Sequence, residues 1–279
     1  MAREIFRKGE VSTELGDDAR CELVVLFHGL MGSPRSLEKA NLIAAAAAGC
    51  PCSDILAVPL PFRGLLGAFA LRRPEDVAAD VVRRIDAAVK VRAKEGGRYR
   101  RIVLAGHSFG AVIARKVAII ANGERPRATF EPRLKALRGG KPWGRNIERI
   151  VLLAAMSRGW SPAAARDWLT AAFWSVGSLV GELMALVVGR PPTIFGIRQG
   201  APFIIQTRLQ WLALARSWTS AQQAGASPAP GASDAHPGHP KITVIQLLGA
   251  TDDLVRLTIR WILPSTRAPK RRSPWWKCP

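Results

Sequence analysis

Residues Arg101 to Asn122 read RIVLAGHSFGAVIARKVAIIAN. The first five form a short apolar run, the signature of a buried strand. From Ala111 to Ala121 the pattern is helical, and Asn122-Gly123 close it. Between strand and helix stands Gly106-His107-Ser108-Phe109-Gly110. A turn this tight strains its central residue and admits only small residues two positions to either side, the places of Gly106 and Gly110. The serine is thereby exposed at the C-terminal edge of the strand. The helix that follows points its positive N-terminus at it. Ser108 is thus the candidate nucleophile, against the bland alternative of an ordinary strand-to-helix turn.

The neighbouring stretches repeat the rhythm. Glu22 to Phe27 (ELVVLF) is a buried strand that runs into the turn His28-Gly29. Ser36 to Ala48 reads as an Ala-rich helix closed by Gly49. Ile55 to Leu60 is a strand whose end is marked by Pro59. Pro74 opens a helix with Val77, Val81, Ile85 and Val89 on one face, and Gly96-Gly97 stop it. After a polar, Pro- and Gly-rich connection from Glu124 to Asn146, Ile147 to Ala154 is a further strand, and Lys241 to Leu248 another. Alternating strands and helices predict an α/β fold, a doubly wound and mostly parallel sheet with helices on both faces.

The stretch from Met156 to about Ser220 breaks that rhythm. Trp168 to Gly189 is largely apolar with Glu182 its only charge, close to the length a membrane span needs. Gly177 and Gly181 carry small-residue spacing for close helix packing. Three readings stand: a cap over a site, a membrane-associating segment, or a buried core helix. A second apolar stretch, Pro202 to Ala215 with Trp211, favours the cap because it supplies a packing partner. Ala221 to Pro240 is a Pro/Gly/Ala/Ser-rich flexible loop. The expected organisation is therefore a core over 1–155, a helical cap over 156–220, a linker over 221–240, a strand and turn over 241–263, and a basic disordered tail over 264–279.

Composition narrows the classes. The chain has 279 residues, and its 48% hydrophobic content suits a globular fold. With 41 basic and 21 acidic residues the formal net charge is +20. No nucleic-acid module accompanies that charge, so nucleic acid is not an expected partner. A solvated basic surface is the bland reading, and attraction to anionic lipid head groups the functional one. Cys21, Cys50, Cys52 and Cys278 fit neither a redox pair nor a zinc knuckle, and free thiols in a reducing cytosol are expected. Met1 to Arg20 carries no apolar signal-peptide core. The expected location is cytoplasmic, with peripheral membrane association as the alternative. No metal site, cofactor motif or nucleotide loop is visible.

Three motifs occur in a meaningful order: His28-Gly29-Leu30-Met31-Gly32 after an early strand, the turn around Ser108, and Gly249-Ala250-Thr251-Asp252-Asp253-Leu254-Val255 after a late one. In these the chain resembles the α/β-hydrolase superfamily, especially lipase- and esterase-like members, from about Leu23 to Val255 apart from the cap. The resemblance implies an oxyanion hole from the backbone N–H groups of Leu30 and Phe109. It implies Asp252 as the acid that orients a histidine, with Asp253 the fallback. His28 would hold its turn and His107 point elsewhere.

The chain departs from the family's order of Ser, acid, His. Its four histidines are His28, His107, His236 and His239, and none follows Asp252. The stretch Pro264 to Pro279 carries neither the final strand or helix nor the general base. Truncation, frameshift and divergence are all open. His236 or His239 could stand in, although a loose loop does not preorganise a base. The expected activity is cleavage of a carboxylic ester, a lipid ester among the candidates, through an acyl-enzyme at Ser108. The alternative is a catalytically impaired or non-catalytic protein of the same fold, associated with a membrane surface.

Overall fold

The computed structural model describes residues 5–6, 22–30, 32–33, 53–62, 67, 70–160, 186, 189, 192–224 and 242–247. Their strands are β1 (Ile5–Phe6), β2 (Glu22–Phe27), β3 (Ser53–Val58), β4 (Arg101–His107), β5 (Ile147–Leu153) and β6 (Thr243–Leu247). They form one sheet in the order β1-β3-β2-β4-β5-β6. Every pairing is parallel except that of β1 with β3. This is the α/β, mostly parallel architecture that the strand–helix rhythm predicts.

The two faces of the sheet are filled separately, as the period-2 alternation of side chains requires. Leu23, Val25 and Phe27 of β2 join Leu56, Val58, Ile102, Leu104, Ile150 and Leu152 in the main core. Val24 and Leu26 form a second cluster on the opposite face, with Ile55, Val103 and Ala105 packed against them. Because both faces of β2 are covered, its sequence is a continuous apolar run instead of an alternation.

Among the described residues three longer helices meet the main core: α1 (Pro74–Lys94), α2 (Phe109–Asn122) and, after the one-turn α3 (Thr193–Gly196), α4 (Pro202–Ala224). α1 begins with Pro74 at its first position and carries Glu75 and Asp76 in the first turn, where the dipole favours anions. Val77, Val81 and Ile85 are buried, while Val89 is partly exposed and packs against the same core. The helix stops where Gly96 takes φ 81°, a left-handed conformation that a Cβ would penalise.

α2 is almost wholly enclosed. Its buried positions include Lys116, whose Nζ donates to both carboxylate oxygens of Glu131, at 2.6 and 2.8 Å, and to Gln210 Oε1 at 2.5 Å. Gln210 in turn donates to the Thr129 carbonyl at 2.9 Å. The ammonium is therefore satisfied on three sides, and the network fastens α4 to α2. Burial pushes the Lys116 pKa down, against the opposing pull of Glu131.

Sequence and structure differ at several edges. The second apolar run begins two residues earlier than expected, at Ser53, and ends at Val58, because Pro59 has no N–H to give. The connection from Glu124 to Asn146 holds two 3-10 turns, Pro132–Leu137 and Pro142–Asn146, each opened by proline. The second is pinned to α1, where Asp86 accepts from Trp143 Nε1 at 2.5 Å and from Lys141 Nζ at 2.6 Å. Pro202 to Ala215, read as part of the cap, lies within α4. Phe203, Ile204, Leu214 and Trp218 of this helix are buried in the same core as the sheet. Most of Trp168 to Gly189, the other expected cap element, lies outside the described residues, as do the Ser36 to Ala48 helix, the tail and the linker from 225 on; the linker's first four residues, 221–224, are not loop but the end of α4. Among the described residues no helix is long and apolar enough to cross a membrane.

Candidate active site

The central strands β2 and β4 run parallel, with Phe27 opposite Gly106. Their C-terminal ends therefore deliver His28-Gly29 and His107-Ser108 to the same edge of the sheet. Ser108 itself adopts φ 53° and ψ −121°, outside the regions open to ordinary residues. Such a conformation costs on the order of 1–3 kcal/mol and persists only where its surroundings enforce it. The enforcing contacts are on both sides. The Ser108 N–H donates to the Leu153 carbonyl of β5 at 2.8 Å, and its own carbonyl accepts from Ala111 N–H at 3.1 Å.

Glycine permits the crowding around this turn. A Cβ on Gly106 would sit 2.6 Å from the Ala111 backbone. One on Gly110 would meet the Phe27 carbonyl oxygen at 2.5 Å and collide with that of His28. On the opposing turn, a Cβ on Gly29 would lie 2.8 Å from His107 Nδ1 and 3.1 Å from Ser108 Cβ. The spacing read from the sequence thus has a steric cause: any larger residue at 106 or 110 would push helix and sheet apart.

α2 starts directly after Ser108. The first N–H groups of a helix have no partner within it, so those of Phe109 and Gly110 face the N-terminal end. Phe109 is fully buried, and its ring packs against Phe62 at a centroid distance of 5.1 Å, which anchors this first turn. Across from it, Gly32 N–H donates to the Gly29 carbonyl at 3.1 Å and closes a turn containing Leu30. Leu30 is half-buried against the core. The structure therefore brings together Leu30, Gly106, Ser108, Phe109 and Gly110. Asp252 and Asp253 lie outside the described residues, as do His236 and His239.

His28 is fully buried. Its Nε2 accepts from the Leu60 backbone N–H at 3.0 Å, and its Nδ1 donates to the Gly29 carbonyl at 2.8 Å. Opposite roles for the two nitrogens define the Nδ1–H tautomer. The ring thus ties the end of β2 to the chain leaving β3. His107 is exposed at the end of β4.

A second strained residue beside the site carries no sequence signal. Beside Ser108, at the end of β5, Ala154 also takes a positive φ, 45°. Its N–H donates to the Leu247 carbonyl of β6 at 2.8 Å. Alanine carries no sequence signal for that conformation, so only the register could reveal it. β6 ends beside β5, with Leu247 opposite Leu153, so the chain leaves the sheet at the edge where Ser108 stands. No group of three or more His, Cys, Asp or Glu among the described residues is placed to hold a metal ion.

A strand-to-helix turn of this geometry on a mostly parallel sheet defines a class, and comparison with known proteins agrees. Residues 24–276 match the model of the alpha/beta hydrolase family, and the chain belongs to that family. No curated protein matches it. Among solved structures it is similar to the mature lipase BlEst2 of Bacillus licheniformis, at 16% identity over 72% of this chain and 62% of that one, with a TM-score of 0.39. An inhibited esterase B of Lactobacillus rhamnosis is 14% identical over 82% of this chain and 66% of its own, with a TM-score of 0.39. The phospholipase PlaB of Legionella pneumophila is 15% identical over 68% of this chain and 34% of that one, with a TM-score of 0.37. The chain spans less than two thirds of the lipase and about a third of the phospholipase.

Proposed function

We propose that this chain is a serine hydrolase that cleaves a carboxylic ester, a lipid ester among the candidates, through an acyl-enzyme at Ser108. The observation that carries the reading is the strained backbone of Ser108, φ 53° and ψ −121°, at the junction of β4 and α2. In this mechanism Ser108 Oγ attacks the ester carbonyl carbon. The carbonyl oxygen becomes negative and is held by the N–H groups of Leu30 and Phe109, with the α2 N-terminus adding its positive end. The base takes the Ser108 hydroxyl proton and passes it to the leaving alkoxide, so the alcohol departs. Water, losing a proton to the same base, then attacks the acyl carbon, and the acid leaves as Ser108 Oγ regains its proton. Asp252, a few positions beyond the end of β6, is the acid that orients the base and stabilises it once protonated. The reaction requires neither metal nor cofactor. The proposed location is the cytoplasm, with peripheral membrane association as the alternative.

A second reading has its own support. Both His28 nitrogens are occupied by backbone groups, and no histidine follows Asp252 in the sequence. Where no histidine serves as the base, only the oxyanion donors and binding remain, for a residual acceleration of about 10³–10⁴ over water. Hydrolysis of a short p-nitrophenyl ester by wild type and Ser108→Ala separates the readings. Turnover lost in Ser108→Ala supports the hydrolase. Turnover equal in both proteins excludes Ser108 as nucleophile, and none in either favours the impaired form.

A further inference from the structure

α4 is apolar on two sides. Its inner side, with Phe203, Ile204, Leu214 and Trp218, is buried in the core it shares with α2 and the sheet. Its outer side carries Ile205, Leu209 and Leu212, which remain 48%, 52% and 47% exposed. These three and Arg216 succeed one another at steps of four, three and four residues. On an α-helix that spacing draws one stripe about 16 Å long. Arg208 and Arg216 are exposed on the same side, and the 23 residues of α4 include no Asp or Glu. A soluble helix usually has a polar outer face, so this one is built for contact.

The charge around the stripe selects the contact. Arg115 of α2 lies over the Trp211 ring, 5.3 Å from its centroid. Burial lowers its pKa to about 10, and the positive charge of Arg208 adds to the effect. Two guanidiniums thus share one neighbourhood without a carboxylate from the described residues pairing with either. A second copy docking face to face would set Arg208 and Arg216 against their like, and two chains of net charge +20 repel. A nucleic acid would leave the central apolar stripe in contact with phosphate. An anionic bilayer satisfies both features, since apolar side chains enter the head-group region while arginines meet lipid phosphates.

We propose that the outer face of α4 docks the protein on an anionic lipid surface, with Ile205, Leu209 and Leu212 inserted and Arg208 and Arg216 on the phosphates. The inference stands apart from the reaction at Ser108: vesicle binding is read without turnover, so either can fail alone. The test is co-sedimentation of the full chain with vesicles of phosphatidylcholine alone, or with about one third phosphatidylserine. Wild type should bind the anionic vesicles at least about tenfold more tightly, and high salt should weaken that binding. Arg208→Gln with Arg216→Gln should weaken it roughly 20-fold. Ile205→Ser, Leu209→Ser and Leu212→Ser together should weaken it at least about tenfold, with the circular dichroism spectrum unchanged. Equal binding to both vesicle types, no binding to either, or folded variants that bind like wild type would overturn the proposal. So would a wild-type dimer that the triple variant converts to monomer, since a second copy would then occupy the face.

Discussion

β4 and β5 end side by side, and each hands over to a non-glycine residue with positive φ, Ser108 at 53° and Ala154 at 45°. Each of these residues donates its N–H to the next strand in the sheet at 2.8 Å, Ser108 to Leu153 and Ala154 to Leu247. There the likeness ends. Ser108 is flanked at two positions either side by Gly106 and Gly110, opposes Gly29, and opens the 14-residue α2. Ala154 is flanked by Leu152 and Met156, and the chain beyond it makes a loop turn closed by Gly159 N–H to the Met156 carbonyl at 2.9 Å. Backbone strain alone therefore does not mark a site. At Ser108 the strain is joined by glycine-cleared close packing and the start of a helix.

The comparison can be broken most forcefully at its glycines. Gly110→Ala drives a Cβ into the Phe27 and His28 carbonyls, where backbone must move, and should destabilise by about 3 kcal/mol or more. Urea unfolding measures this; a loss below about 1 kcal/mol would mean that the turn is looser than described. Behind the same turn, Lys116→Met leaves Glu131 without its cation and should cost about 2 kcal/mol, read as a lower denaturation midpoint. Glu131 retains some exposure, which keeps the loss below that of a fully buried pair.

Relieving the strain should act in the opposite direction. Ser108→Gly should stabilise by about 1 kcal/mol while removing the nucleophile. Ala154→Gly should stabilise by about 0.5 kcal/mol and leave turnover nearly intact. Equal effects of both substitutions on turnover would erase the contrast between the two turns. The smallest effect is expected away from both, at Glu75 in the first turn of α1. Burial raises its carboxyl pKa above 4.5, and Glu131 adds to this against the pull of Lys116. A raised carboxyl pKa gives stability that is present below 4.5 and lost as pH rises through the folded value. Glu75→Gln should therefore flatten the decline in melting temperature above pH 4.5, and an unchanged profile would exclude the burial effect.

Much of this was legible in residue order. The run ELVVLF is β2 to the residue, since a strand covered on both faces has no alternation to blur its ends. Gly106 and Gly110 were readable because steric exclusion leaves a residue type behind. β1 was not: Ile5–Phe6 sits in a polar segment, and two residues paired at an edge need no pattern. The network of Lys116, Glu131 and Gln210 was equally hidden, because its members come together only when α2, a loop and α4 pack. The packing partners of α4 were hidden for a related reason. An apolar helix has the same composition whether it covers a site or joins the core, and only its partners distinguish the two.

We propose that Ser108 is a nucleophile held by its strained turn. The most direct measurement is reaction of the folded chain with a fluorophosphonate probe, the adduct being located by peptide mass spectrometry. One adduct is expected, on Ser108, absent from Ser108→Ala. No adduct at Ser108 in the folded wild type, or equal labelling of wild type and Ser108→Ala, would contradict it.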